Sequence, residues 1–448
     1  MHSPQQAQDR CHALVERARR AGADAADAVY SADASQSVSI RLGALEDVER
    51  SESERASLRV FVGRRTASIG STDLSDAALG ELAERAVAMA RLAPEDQYAG
   101  LAPEELLLRS GTPVLDLADP AERSPAQLRA LAEECEDAAR SVAGVTNSEG
   151  GGASEGASVV ALATSHGFAG GFAATSRSLS ASVIAGEGAA MQRDYAYRVA
   201  RHANDLLSPH EIGILAGTRA VGRLAPATIS SGPRPVVFDP RIGGSLLGHL
   251  LGAISGSAIA RGASFLLGRE DEQLFDSAIT VTEDPHRLRG VRSRPFDGEG
   301  LATAPRTLIE RGRLTGWLMD SAAARQLGHQ PTGHAARGHG GAPGVSAANV
   351  MLTGGTVSRA ALIADIADGV LVTELIGQGV NGVSGDYSRG ASGLRIVNGE
   401  IAGPVAGITI AGNLLEMFRA LTAADDLELY RGIDVPTLRI DGMTVAGD

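Results

Sequence analysis

The amino-acid sequence predicts an α+β protein. Helix-flanked antiparallel sheet units are expected first, then a β-rich C-terminal domain containing a glycine-ridged helix. Three observations carry that prediction. Runs such as Leu58-Arg-Val-Phe-Val-Gly63 alternate with period two, as half-buried strands do. A helix–strands–helix order occurs twice before residue 225. From Val236 the chain changes character: an uncharged, glycine-spaced helical stretch gives way to short apolar runs punctuated by turns.

Residues 4 to 22 form an amphipathic pattern, with Cys11, Ala13, Leu14 and Ala18 on one face. Short strands are expected at Ala26–Ser31, Ser37–Leu42, Leu45–Arg50, Leu58–Gly63 and Thr66–Ser71. A helix follows over Thr72–Leu92, capped by Ser75 or Asp73, with Leu79, Leu82, Ala86 and Ala90 as its apolar stripe. The Pro-containing stretch Gln97–Pro113 reads as a linker and sets a first unit at 1–110. A second unit, 111–225, repeats the order. It has a helix over Ser124–Ser141, strands at Ser158–Ser165, Phe168–Ser176 and Ser178–Gly186, and a helix over Pro209–Leu224. The residues themselves match poorly, so an internal duplication rests on element order. Three prolines and a glycine between Leu224 and Pro235 open a third unit, 226–448. Its strands run from Ser277–Thr282 to Thr437–Val445, with Asn398-Gly399 the best hairpin signal and a short helix at Asn413–Ala424.

The third unit begins with Arg241-Ile-Gly-Gly-Ser-Leu-Leu-Gly-His-Leu-Leu-Gly-Ala-Ile-Ser-Gly-Ser-Ala-Ile-Ala-Arg261. Leu246, Leu247, Leu250, Leu251 and Ile254 give it an apolar face, and Gly244, Gly248, Gly252 and Gly256 recur every fourth residue. Each glycine weakens a helix by about 1 kcal/mol relative to alanine, so something must offset the cost. A ridge without side chains permits close approach of another backbone or of an extended ligand. Taken alone, the pattern reads as a tightly packed core helix.

Composition excludes several function classes. The 448 residues suffice for two to three domains and a large core. A net charge of −13 and 3% aromatic residues argue against a nucleic-acid partner, which needs clustered positive charge and stacking platforms. All 41 basic residues are arginine, so a lysine Schiff base and a P-loop lysine are excluded. Cys11 and Cys135 have no CxxC partner, which fits a reduced, cytoplasmic compartment. The polar N-terminus shows no signal-peptide pattern. The glycine-spaced stretch carries serines and His249, and reads as buried in protein rather than membrane-spanning.

Isolated motifs give weak chemistry. Gly377-Gln-Gly-Val-Asn-Gly382 matches GxGxxG, but the glycine-rich sequence after it cannot make the helix a dinucleotide site requires. It reads as a turn system lining a cleft. His329, His334 and His339 lie five apart in a Gly/Pro loop without a nearby acid or thiolate, a poor zinc site. His210-Glu211 begins like HExxH, but Ile214 stands where the second histidine is needed, so the pair belongs to a helix N-terminus. Asp365, Asp368, Glu374 and Asp386 are acids of the kind usually found on solvated surface. An independent hydrolase using the histidine loop or a dispersed triad remains an alternative, as does a self-associating peptide-binding protein.

Several segments together resemble the TldD/PmbA family of metallopeptidase-related proteins. They are Ala263-Ser-Phe-Leu-Leu267, Pro331-Thr-Gly-His-Ala335, Gly377 through Gly390, Ile396-Val-Asn-Gly-Glu-Ile401 and Ile408-Thr-Ile-Ala-Gly-Asn-Leu414. The N-terminal helix and the Ser51–Gly63 strand region look similar too, and the chain looks closest to the TldE (PmbA) branch. The resemblance implies two kinds of subunit. In the TldD type, an HExxxH helix and a C-terminal cysteine hold zinc, and the glutamate is the general base. Laid over that pattern, Gly248 stands at the first histidine, His249 at the glutamate and Ala253 at the second histidine, and Gly412–Asp448 contains no cysteine. The resemblance therefore implies a non-catalytic chain that holds no zinc of its own. Zinc is expected in a TldD-type catalytic partner, and unfolded or extended peptides are the expected substrates. Peptide contacts are expected at His334, Asn349, Asn381 and Asp386, all in the turn-rich half.

Overall fold

A computed structural model describes residues 2–338 and 340–447. Its N-terminal half is one six-stranded antiparallel sheet built from two helix–three-strand–helix units. The first comprises α1 (Pro4–Arg20), β1 (Ala25–Arg41), β2 (Ala44–Val62), β3 (Arg65–Ser71) and α2 (Asp76–Leu92). The second comprises α3 (Pro125–Arg140), β4 (Val145–Thr164), β5 (Ala169–Ala185), β6 (Gln192–Ala200) and α4 (Pro209–Val221). The strand order is β3-β2-β1-β4-β5-β6, so β1 meets β4 in the middle and the units pool their strands. The segments expected at 1–110 and 111–225 thus share one sheet and repeat one element order.

Local sequence explains the helix starts. Ser3-Pro, Ser124-Pro and Ser208-Pro each open a helix with a capping box, closed three residues later by Gln6, Gln127 and Glu211. His210 and Glu211 accordingly sit at a helix N-terminus. The expected strands needed correction in length. The four short strands between Ala26 and Gly63 are two long ones, β1 and β2, because their polar middle positions pair in register without a turn. β4 likewise begins thirteen residues before Ser158, and β6 was not expected at all.

Alternation sorts the faces of β1. Ala26, Ala28, Tyr30 and Ala32 lie in a core with α1 and α2, and Val38 and Ile40 in a core with α3 and α4. Val29, on the opposite face, packs with Leu107, Phe168 and Phe296. Asp27 shares that face. Both oxygens of its carboxylate pair with arginines: Arg59 of β2 (Nη2–Oδ2 2.5 Å) and Arg337 of the C-terminal half. Arg59 also reaches Glu299 at 3.5 Å. This buried charge cluster joins the two halves of the chain. Cys11 and Cys135 are both buried and unpaired, and burial pushes each thiol up to about 12.

The C-terminal half carries a closed barrel. β7 (Gly232–Phe238) lies between the strands Asp368–Ile376 and Leu438–Ala446. The sheet continues through Asp386–Val397 to Glu400–Asn413, and residues 409–411 pair back with 444–446 to close it. Asn398-Gly399 forms the expected tight turn, both residues having positive φ (49° and 80°). A second sheet of short strands, centred on Thr280–Asp284 and Asn349–Thr353, packs beside the barrel. Among the described residues no helix is long and apolar enough to cross a membrane.

Candidate functional site

The glycine-spaced stretch leaves β7 and starts at Asp239, whose carboxylate accepts the Arg241 N–H at 3.0 Å. It does not form the single helix expected over 241–261. α5 (Pro240–Ala253) ends at Ile254, and a shorter α6 (Gly256–Ala260) follows. The break exists because the backbone between them pairs with Leu318. Leu318 N–H donates to the Ile254 carbonyl at 2.9 Å, and Gly256 N–H donates to the Leu318 carbonyl at 2.7 Å.

The two sides of α5 have opposite characters. Leu246, Leu247, Leu250 and Ala253 are buried in the main C-terminal core with Val236, Phe238 and Leu438. Burying the three leucines contributes roughly 1.5–3 kcal/mol each, enough to offset the helix's glycines. The reading as a tightly packed core helix holds only for this side. Gly248 and Gly252 are exposed, and a Cβ at either would meet nothing within 4 Å. Close packing on the ridge is confined to its ends, where Gly244 lies against the Ile433 carbonyl and Gly256 against Met319 and the Leu318 carbonyl.

His249 lies between the two sides. Its ring meets Tyr387 edge to face, with 6.0 Å between centroids. Burial, and then the positive charge of Arg389, lower the His249 pKa and so favour the neutral imidazole. These residues do not fit a zinc centre. Gly248 and Ala253 bring no donor atom, His249 brings one, and a cationic neighbour opposes a dication. Among the described residues no group of three or more His, Cys, Asp or Glu side chains could hold a metal ion.

The segments around the far end of α5 converge. The Ser264 hydroxyl donates to the Ala253 carbonyl at 2.7 Å, and Phe265 N–H donates to the Gly382 carbonyl at 2.9 Å. Leu414 N–H donates to Gly385, and the Asn413 amide donates to Ser384. No helix follows Gly377–Gly382. The loop folds back on its own strand, with Ser388 N–H donating to Gly379 at 2.6 Å. It is the glycine turn system the sequence indicates.

The four expected contact residues fall into two groups. Asn381 on this loop and Asp386 at the start of the strand after it are exposed; Asn381 accepts the Val383 N–H at 2.9 Å and Asp386 accepts the Ser384 hydroxyl at 2.6 Å. His334 and Asn349 are buried beside the strand Thr280–Asp284. His334 Nε2 lies 2.5 Å from Glu283 and Nδ1 lies 2.8 Å from Thr332. Asn349 accepts the Arg292 N–H and donates to the Asp284 carbonyl and the Ser293 hydroxyl. In the histidine loop, both ring nitrogens of His334 are therefore engaged inside the protein. His329 is exposed, and His339 lies outside the described residues.

Sequence reading missed the buried charge cluster of Asp27, Arg59, Glu299 and Arg337. One signal was present: Asp27 and Arg59 interrupt apolar strand runs, where an ionised side chain needs a buried partner. Nearby, Asp297 is pushed up to about 7 by burial and then by the charge of Glu299, despite accepting three backbone N–H groups.

Comparison with known proteins finds relatives over nearly the whole chain. Family models describing PmbA/TldA metallopeptidase domains match in chain order: domain 1 at residues 26–90, the central domain at 118–224 and the C-terminal domain at 231–447. The chain is 39% identical over 426 residues to Metalloprotease PmbA of Escherichia coli O157:H7, covering 95% of this chain and 92% of that one. It is 36% identical over 436 residues to a Metalloprotease PmbA homolog of Haemophilus influenzae, covering 97% and 94%. Among solved structures, a putative modulator of DNA gyrase from Bacteroides thetaiotaomicron superposes with a TM-score of 0.91 at 26% identity over the whole of both chains. TldE from Thermococcus kodakarensis shares the fold, with a TM-score of 0.86 at 20% identity over 98% of this chain and all of that one. The chain belongs to the TldD/PmbA family of metallopeptidase-related proteins.

Proposed function

We propose that this chain is a non-catalytic subunit of the TldE (PmbA) type in a cytoplasmic zinc metallopeptidase complex. Its catalytic partner is a TldD-type chain that holds the zinc, and the complex captures unfolded peptides for degradation or maturation. One observation carries the reading. At the helix positions where the resemblance calls for two zinc-binding imidazoles, this chain has Gly248 and Ala253, and the glycine side is open to solvent. A backbone ridge without side chains suits an extended peptide or a partner's surface. Asn381, on the exposed loop beside it, and Asp386, at the start of the strand after that loop, are the proposed peptide contacts.

The test is cleavage of an unfolded peptide by this chain alone, by a TldD-type chain alone, and by the two mixed. Cleavage by the mixture, with this chain alone inactive, is expected. Cleavage by this chain alone, abolished by a chelator, would overturn the reading.

A further inference from the structure

A cleft of about 410 Å³ lies at the seam of the two halves, within the size range of ligand pockets. α5 forms one wall through Arg241, Gly244 and Ser245, and the strand Asp368–Ile376 forms another through Thr373, Glu374 and Leu375. Its charge is unusual for a chain of net charge −13. Five arginines line it against two carboxylates, Asp194 and Glu374. Those carboxylates are engaged. Arg241 holds Asp194 through two bonds, at 2.7 and 3.0 Å, and Arg223 reaches Glu374 at 2.5 Å.

Two guanidiniums in the cleft are left over. Arg389 is only 9% exposed, and its Nε donates to the Ile376 carbonyl at 3.4 Å. Arg431 stacks on Tyr430, 3.9 Å from the ring centroid. Among the described residues neither has a carboxylate within ion-pairing distance. A nine-tenths buried cation facing a cleft without a counter-charge is costly unless an anion arrives.

The wall beside it offers a second feature. β7 pairs with the strand Asp368–Ile376 only as far as Val372, while on its other edge that strand stays paired with Asp386–Val397 through Ile376. From Thr373 onward the edge on the β7 side has no strand partner among the described residues. An open strand edge, apolar side chains at Ile242, Leu375 and Ile433, and spare guanidiniums form a set. Together they match an extended chain that ends in a carboxylate: its backbone pairs with the edge and its terminal charge meets the arginines.

We infer that this cleft binds the C-terminal carboxylate of an extended peptide, with Arg389 and Arg431 as the anion-binding residues. The inference rests on the peptide-binding reading above and specifies which end of the peptide is held.

The test uses the full chain and a fluorescein-labelled unstructured decapeptide in three forms: free acid, C-terminal amide, and amide with glutamate at the last position. Fluorescence anisotropy reads the affinity. The free acid should bind about tenfold or more tightly than either amide. R431Q and R389Q should each bring the free acid down to the level of the plain amide. Arg431 is half-buried, so R431Q keeps the test intact if R389Q fails to fold. Equal binding of acid and plain amide would overturn the carboxylate site and leave peptide capture standing. Binding of the glutamate-bearing amide as tightly as the acid would overturn the chain-end assignment. Failure of all three peptides to bind, with the chain alone and with its partner, would overturn the peptide-binding reading itself.

Discussion

His249 and Tyr387 meet edge to face, 6.0 Å between ring centroids and 80° between ring planes, with the imidazole Nε2 and the phenol hydroxyl both buried and without a hydrogen-bond partner among the described residues. The contact fills the space behind the glycine ridge with packed rings. Tyr387→Phe should leave stability within about 0.5 kcal/mol of the parent, or raise it, because the hydroxyl has no bond to lose. Tyr387→Ala should cost about 3–5 kcal/mol by opening a cavity. Urea denaturation midpoints check both. A large loss in Tyr387→Phe would show that the hydroxyl is bonded.

Gly248 and Gly256 recur in one sequence pattern but occupy opposite environments. Gly248→Ala should raise the stability of the isolated chain by about 1 kcal/mol, since its Cβ enters open space and alanine favours the helix. Gly256→Ala should lower stability, because its Cβ would come within 2.5 Å of Met319 Cγ. If the ridge serves peptide or partner, Gly248→Leu should fold well yet reduce cleavage by the reconstituted complex. Thermal melts and the cleavage assay separate the two effects.

Two buried carboxyls pull the pH dependence of stability in opposite directions. Burial opposes ionisation of Glu283, but the hydrogen bond and charge of His334 outweigh it and lower the Glu283 pKa. A depressed carboxyl stabilises the fold above its unfolded pKa of about 4.3, and the contribution disappears as pH falls through the folded value. Asp297 has the opposite sign. Its pKa is raised to about 7, so it costs no stability below its unfolded pKa of about 3.9, costs progressively more as pH rises from there to about 7, and costs a constant amount above. From these two groups stability should be flat above about pH 7, increase as pH falls from there toward about 4, then fall in acid. Asp297→Asn should flatten the neutral limb, measured as melting temperature against pH.

Arg59 holds Asp27 and Glu299 across the seam between the halves. Arg59→Ala leaves Glu299 without its arginine and Asp27 with Arg337 alone, and should cost about 3–5 kcal/mol. Chemical denaturation reads the loss, and limited proteolysis should cut the Gln97–Pro113 connection faster in the variant. Unchanged stability would mean that the cluster is open to water.

Much of the fold was legible where one physical rule dominates. Ser-Pro followed by Gln or Glu marks three helix starts, Asn398-Gly399 marks a hairpin, and the leucines of α5 mark its buried side. Less legible were features that depend on distant pairing. The polar middles of β1 and β2 look like turns until both strands are seen paired in one register from Ala25–Phe61 to Ser39–Asp47. The break at Ser255 comes from pairing with Leu318, which no local pattern encodes. The same holds for the site. Gly248 and Ala253 were readable as departures from a zinc-binding pattern, whereas the openness of the ridge and the arginine cleft depend on residues brought together from both halves.

The most direct measurement is the zinc content of the full chain, purified without a partner and equilibrated with zinc before desalting, by inductively coupled plasma mass spectrometry. Zinc far below one equivalent, unchanged in His249→Ala, is the expected result. One tightly held equivalent, lost in His249→Ala or His334→Ala, would contradict a subunit without a metal centre.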